Sequence, residues 1–283
     1  MSSRPRADRR RKATADRRTR APVLKIYGLL VFIFLYFPMV IVVLFSFSPT
    51  RTIVGLSGLT LRWYQELFRD PGLLTAFWHS VVIGLGAVSI ATVFGTAGAF
   101  FLSRVEFPGK GVFRALVMLP FLLPGIIMGL TLLIFFRNLG VPLSPFTILM
   151  GHVSFTTPLV MFQVTSRLLR MGPTYTWAAM DLGANPVQTF WYVTLPMIRT
   201  ALIGAGLLAF TVSFDEIVIS YFLTGTWMTL PVYIYGMLRF GLSPKVYAIS
   251  TIIVMLSLVL IIFMARYTGR SAETYGLRKK AGP

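Results

Sequence analysis

The sequence predicts an all-α membrane protein with six transmembrane helices and both termini on the cytoplasmic side. Three observations predict it. Apolar residues make up 55% of the chain, charged residues only 13%, and mean hydropathy is +0.75; soluble domains carry roughly twice that share of charge. The apolar residues fall in runs of about 20 or more, enough to cross about 30 Å of hydrocarbon. The basic residues are distributed unevenly between alternate loops, which sets the orientation.

The first run, 27–47, follows a basic segment, as a signal peptide would. It is too long for such a segment, and no A-x-A cleavage site follows, so it is expected to be an uncleaved first span. Five more spans are expected at 79–102, 112–136, 145–168, 198–224 and 245–265. The tails with loops 103–114 and 167–199 hold 21 Lys/Arg residues, and loops 48–76, 137–143 and 225–245 hold six. An even number of spans and this asymmetry agree on cytoplasmic termini. The domain organisation expected is a flexible basic tail over 1–23, a permeating domain over 24–265, and a second basic cytoplasmic tail over 266–283.

Composition also excludes function classes. The chain has no cysteine, so disulfides, thiolate metal sites and cysteine nucleophiles are ruled out. His79 and His152 are the only histidines, too few for a histidine-rich metal site. No nucleophile–base cluster is visible, so no catalytic residue, cofactor site or metal site is expected. The net charge of +18 does not signal nucleic acid. Ten of the 27 Lys/Arg residues lie in the first 25 positions and five lie after 265. They lack interleaved aromatics and suit cytoplasmic flanks that touch anionic lipid.

Within the first outer loop, LRWYQELF (61–68) reads as a short amphipathic helix or as an interfacial Trp/Tyr anchor. The second span carries Ala87, Ala91, Gly95 and Ala99 at a four-residue spacing, and the fifth carries Ala201, Ala205, Ala209 and Ser213. Such stripes let helix backbones approach closely. The third span reads LPFLLPGIIMG, with Pro120, Pro124 and Gly125. Its prolines bend the helix, either as a packing kink or to line a path. His152 reads as a proton relay or as a hydrogen-bonded packing residue.

The loop between the fourth and fifth spans is unlike the others. It reads MGPTYTWAAMDLGANPVQTFWYVTLPMI over 171–198. Pro173 suits a first helical turn, Gly183 a C-terminal stop, and Asn185–Pro186 the start of a second helix. Pro196 is expected to end that second helix. A helix–turn–helix on the cytoplasmic face follows, with Ala178 and Ala179 leaving a shallow patch for another protein.

At these residues the chain resembles the ABC importer permease family, whose signature in this loop is EAA-x3-G-x9-I-x-L-P. Ala178, Ala179, Gly183, Leu195 and Pro196 match at the required spacings, and Val193 stands for the isoleucine. Trp177 stands where the family usually has glutamate. The resemblance implies that a short coupling helix around 174–183, with Asp181 on it, seats in a groove of a cytoplasmic ATPase. It also implies a second related permease, two ATPase subunits and an extracytoplasmic solute-binding protein, in a bacterial inner membrane. The chain has no G-x-x-x-x-G-K-[ST] segment, so ATP and Mg would be bound by the ATPase partners.

SFDEIVISYFLTG (213–225), TLPVYIYGMLRFGLSP (229–244) and LGAN (182–185) look like the second permease of spermidine/putrescine-type importers. Asp215 and Glu216 lie inside the fifth span, where ionised groups are costly and usually functional. On a continuous helix Glu216 would share a face with Ser220, and Asp215 with Thr211 and Phe222. With Phe214, Tyr221 and Phe222 nearby, the carboxylates suit an alkylammonium cation. The other reading pairs a carboxylate with a partner permease. Some polyamine permeases carry an acidic residue where this chain has Gly125, so an opine, a phosphonate or another small solute stays open. A secondary transporter driven by ions would use the same carboxylates, but no repeat between chain halves is seen.

Overall fold

A computed structural model describes residues 5–49, 58–239 and 244–259, with positions 262 and 266, and side chains from residue 25 onward. The C-terminal tail and the end of the expected sixth span lie outside the described residues. The chain divides into two compact units, residues 1–67 with 242–253 and residues 68–241 with 254–283.

In the first unit, α1 runs from Pro5 to Phe45. It therefore begins inside the basic segment 1–23 that the sequence reads as a flexible tail; Ala, Arg and Lys are all good helix formers. Its apolar part, Lys25–Phe45, is long enough to span and is uncovered in the isolated chain. Helix α2 (Arg62–Phe68) folds back on the residues after α1. Trp63 is only 5% exposed, and its Nε1 donates to the Ser48 carbonyl at 2.7 Å. Tyr64 Oη lies 2.6 Å from Ser46 Oγ. Trp63 thus packs against its own chain. Helix α12 (Pro244–Val259) is apolar, and its Tyr247 ring meets Phe45.

The second unit is built on three long helices, α3 (Pro71–Arg104), α6 (Pro145–Met171) and α9 (Leu195–Phe214). Asp70 caps α3, accepting from the Leu73 amide, so this helix starts well before the expected boundary. The small-residue stripe is its packing face: Ala87, Ala91, Gly95 and Ala99 are all buried. A Cβ added at Gly95 would lie 2.9 Å from the Thr157 carbonyl oxygen and 3.0 Å from the Met161 nitrogen. Backbone therefore meets backbone there, as small residues allow. Ala205, Ala209 and Ser213 of α9 are buried in the same way.

The third expected span is two helices, α4 (Lys110–Leu122) and α5 (Gly125–Asn138), bent by 99°. Pro124 has no amide to donate and disfavours helical backbone at Leu123. Leu123 is accordingly extended, with ψ 141°. Pro120, by contrast, is tolerated inside α4.

The fifth span is also broken. Helix α9 stops at Phe214, and α10 covers Val218–Leu223. Asp215 to Ile217 do not continue the helix, so the faces expected across this point do not form. The other end of the span is more continuous than expected. Helix α8 (Pro186–Thr189) runs through one wide turn, Phe190–Thr194, straight into α9. Leu195 donates back five residues to Phe190, and this widening accommodates Pro196 at the second position of α9 instead of ending the helix.

Side-chain contacts tie the elements together at the two ends of the second unit. At one end Arg104, closing α3, reaches Thr176 of α7 (Thr174–Asp181). At the other, Tyr233 of α11 (Leu230–Arg239) donates to Asp70, and the Leu230 amide donates to Ser80. Burial, and then the Asp70 carboxylate, hold the Tyr233 hydroxyl above the ordinary phenol range. Among the described residues four helices are long and apolar enough to cross a membrane, or five when α4 and α5 count as one.

Candidate functional site

Two places stand out in the second unit: the meeting of the two broken spans, and the 171–198 loop.

The break in the fifth span leaves helix ends to be satisfied. At the end of α9 the Asp215 amide donates to the Thr211 carbonyl. At the start of α10 the Glu216 carboxylate turns back on its own chain. Its Oε1 accepts from the Val218 and Ile219 amides, both at 2.9 Å. An anionic acceptor at a helix N-terminus also meets the favourable end of the helix dipole. The far end of α10 is held by Thr147, whose Oγ1 donates to the Leu223 carbonyl at 3.0 Å.

The break in the third span faces this one. A Cβ at Gly125 would sit 3.5 Å from Val218 Cβ and 3.8 Å from Glu216 Oε1. One turn on, a Cβ at Gly129 would overlap Phe222, at 2.6 Å from its Cδ2. Non-helical backbone inside a membrane is tolerated where it is buried in protein or lines a cavity. Two facing breaks meet that condition for each other.

The expected site residues divide sharply. Asp215 is exposed, and among the described residues its carboxylate has no hydrogen bond or ion pair. Glu216 is committed to capping. Ser220 is buried and lies 2.8 Å from His152 Nε2. Phe214 is buried edge-on against Phe77 and beside Phe210. Phe222 is pressed onto Gly129. Tyr221 is exposed and touches the rings of Phe222 and Tyr235. Of the six, Asp215 and Tyr221 are exposed, Glu216 and Phe222 are half-buried, and Phe214 and Ser220 are buried. His152 is only 1% exposed, and its other nitrogen lies 2.7 Å from Ser213 Oγ. It is buried and hydrogen-bonded at both ring nitrogens, and its partners sit on both sides of the break.

In the loop, α7 forms where expected. Gly183 stops it with φ +88°, and its amide donates to the Met180 carbonyl. Asn185 and Gln188 cap the next helix reciprocally, at 2.8 and 2.9 Å. Thr176 is the buried residue of α7, while Ala178, Asp181 and Gly183 are exposed and Ala179 is half-buried. Trp177 is 60% exposed and Leu182 90%. Tyr175, Val187, Trp191 and Tyr192 are exposed as well, so these six large apolar side chains of the loop are open to a partner or to lipid. Leu195 and Pro196 belong to the first turn of α9. Arg167 of α6 donates through Nε and Nη2 to the Met197 carbonyl, fastening that turn. Neither Arg167 nor Arg104 could be singled out from sequence, since each reads there only as cytoplasmic charge.

Known proteins resemble this chain in sequence and in fold. No protein-family model matches the chain. The putrescine transport system permease protein PotI of Escherichia coli (strain K12) is 37% identical over 268 residues, 92% of this chain and 95% of that one. The spermidine/putrescine transport system permease protein PotC of Haemophilus influenzae is 34% identical over 242 residues, covering 85% and 94%. Among solved structures, a chain of a bacterial alginate ABC transporter in complex with an alginate pentasaccharide-bound periplasmic protein has TM-score 0.68 at 14% identity. That match covers 92% of this chain and 96% of that one. A chain of the inward-facing MetNI methionine ABC transporter has TM-score 0.57 at 18% identity, covering 74% and 97%. The structural matches establish the fold. The sequence matches, which run over nearly the whole of both chains, establish the family: the chain belongs to the permease proteins of ABC-type putrescine and spermidine/putrescine transport systems.

Proposed function

We propose that this chain is one transmembrane subunit of an ATP-driven importer that carries a polyamine, spermidine or putrescine, into the cytoplasm by alternating access. The observation that carries this reading is the full-length likeness to permeases of both polyamine systems. The exposed carboxylate of Asp215 at the meeting of two helix breaks supports it chemically. An ionised group inside a membrane has to face water, a ligand or another protein. Asp215 stands about 25 Å along the fifth span from Ile198, at 1.5 Å per residue, in its outer half. A carboxylate with the exposed Tyr221 ring in the same segment suits an alkylammonium group.

The assembly we propose has six spans in this chain, both termini in the cytoplasm, and a place in the bacterial inner membrane. A second related permease completes the path, and a binding protein delivers the solute outside. Two cytoplasmic ATPases bind ATP and Mg, and one of them docks on the exposed apolar side chains of α7 and its flanks. This chain does no covalent chemistry. Trp177, in the place of the family's glutamate, contributes apolar contact there rather than charge.

The test is reconstitution of the chain with its neighbouring permease, ATPase and binding protein in proteoliposomes. Spermidine- or putrescine-loaded binding protein is expected to stimulate ATP hydrolysis and drive uptake. Stimulation only by another loaded solute would replace the polyamine. Uptake driven by an ion gradient without any ATPase would overturn the importer.

A further inference from the structure

We infer that His152 is a positioning residue: its ring ties the two sides of the break in the fifth span and so presents Asp215, not Glu216, to the transported solute. This rests on the importer reading for the word solute; the geometry stands without it.

The geometry is specific. Ser213 lies in the last turn of α9 and Ser220 in α10, on opposite sides of the non-helical residues 215–217. His152, from α6, lies within hydrogen-bond distance of both, at 2.7 and 2.8 Å. All three side chains are buried, so no water competes for these bonds. A neutral imidazole has one donor and one acceptor nitrogen, so one serine donates to the ring and the other accepts from it. Losing either bond would leave a buried polar atom unsatisfied. Distance along the chain adds to the case. The ring reaches residues 61 and 68 positions away, so α6 fixes a spacing that the local sequence does not.

The consequence falls on the two carboxylates. With α9 and α10 held apart, Glu216 lies where the first amides of α10 need an acceptor, and both 2.9 Å bonds go to one of its oxygens. Asp215 ends α9 and turns outward, exposed. Were the break to close into continuous helix, the α10 amides would find backbone carbonyls and Glu216 would be released. The carboxylates would then point about 100° apart on one helix, neither presented as it is now.

The chain's lack of cysteine makes this measurable. Asp215→Cys and Glu216→Cys are placed one at a time in the reconstituted importer, its partners made cysteine-free. Labelling is followed with a water-soluble cationic thiol reagent. The Asp215→Cys thiol is expected to react about tenfold faster than the Glu216→Cys thiol, because position 215 is exposed and position 216 half-buried against α10. Adding His152→Phe, which keeps a ring but not its bonds, is expected to bring the two rates within about twofold. Should that variant fail to assemble, Ser213→Ala with Ser220→Ala removes the same bonds from the other side and is expected to do the same. Equal rates in the unmodified background would overturn the division of roles. Rates that ignore both sets of substitutions would overturn the strut.

Uptake gives the second readout. Asp215→Asn and His152→Phe are expected to be non-additive in spermidine uptake rate, the double variant losing little more than Asp215→Asn alone, because residues acting through one group couple. Full additivity would make His152 a packing residue only. Absence of polyamine uptake by the unmodified importer would overturn the choice of solute, while the labelling still decides the strut.

Discussion

Arg104 Nη2 donates to Thr176 Oγ1 at 2.9 Å, tying the last turn of α3 to α7. Thr176 is the buried residue of a helix whose remaining surface is largely exposed. A bond from a guanidinium is stronger than one between neutral groups. If α7 moves with the ATPase, this bond carries the movement into α3, which packs on α6 and α9. Arg104→Ala and Thr176→Val are therefore expected to keep ATP hydrolysis in the assembled importer. Solute moved per ATP should fall about three- to tenfold, the range of one lost hydrogen bond. Parallel measurement of uptake and phosphate release checks this. Equal loss of both activities would assign the bond to folding alone.

Three glycines make a graded test of the packing. Gly95 lies against the backbone of α6, which cannot move aside cheaply, whereas a Cβ at Gly125 meets only ordinary van der Waals neighbours. Gly129 is intermediate, because the overlapping atom belongs to the Phe222 side chain. Gly95→Val is expected to destabilise the protein by about 1–3 kcal/mol, as overpacking does. Gly125→Ala, at the first position of α5, is expected to be neutral or slightly stabilising. Gly129→Ala should fall between them. Thermal inactivation midpoints in detergent give the ranking, and a Gly125→Ala loss as large as that of Gly95→Val would contradict the packing described.

The parts of this structure that could be read from sequence are those set by local chemistry. Pro124 announces a break because it removes a donor and restricts its predecessor. Asn185 with Pro186 announces a helix start, and the α3 stripe announces a packing face. The break at Asp215 carries no such mark. SFDEIVIS contains neither glycine nor proline, and nothing local forbids helix there. The contacts that flank the break are mostly tertiary: His152 bonded to two serines, Phe222 seated on Gly129, and Thr147 holding the end of α10, with the Glu216 cap as the local contribution. Pro196 misled in the opposite sense. It reads as a stop, but a wide turn just before it lets the helix continue. The pair Asp215–Glu216 could be picked out as costly charge in an apolar span, yet the division of labour between them depends on that unmarked break.

Gly183 tests the loop on conformation alone. Its φ is +88°, and nothing lies within 4 Å of where a Cβ would be. Gly183→Ala therefore meets no clash and should cost only the left-handed strain of about 1–2 kcal/mol. Gly183→Asn should cost less, since asparagine tolerates that region. The expected order in ATP-coupled uptake is glycine, asparagine, alanine. An alanine variant indistinguishable from the original would mean the turn after α7 relaxes without consequence for coupling.

Glu216 offers a test that separates capping from transport. Its Oε1 takes the Val218 and Ile219 amides, two of the donors that the start of α10 leaves without backbone partners. Glu216→Ala removes that acceptor and should destabilise the protein by about 1 kcal/mol, the usual cost of a lost cap. Glu216→Gln keeps a carbonyl oxygen in the same place and should retain most of the stability. Hydrogen–deuterium exchange over 216–223 reads the cap directly. Exchange is expected to rise in Glu216→Ala and to stay near the original in Glu216→Gln. If the capping account holds, the glutamine variant also transports, because the charge of Glu216 serves its own backbone. A glutamine variant that keeps its exchange protection and loses uptake would show the opposite: that the solute meets this carboxylate, with the cap secondary to it.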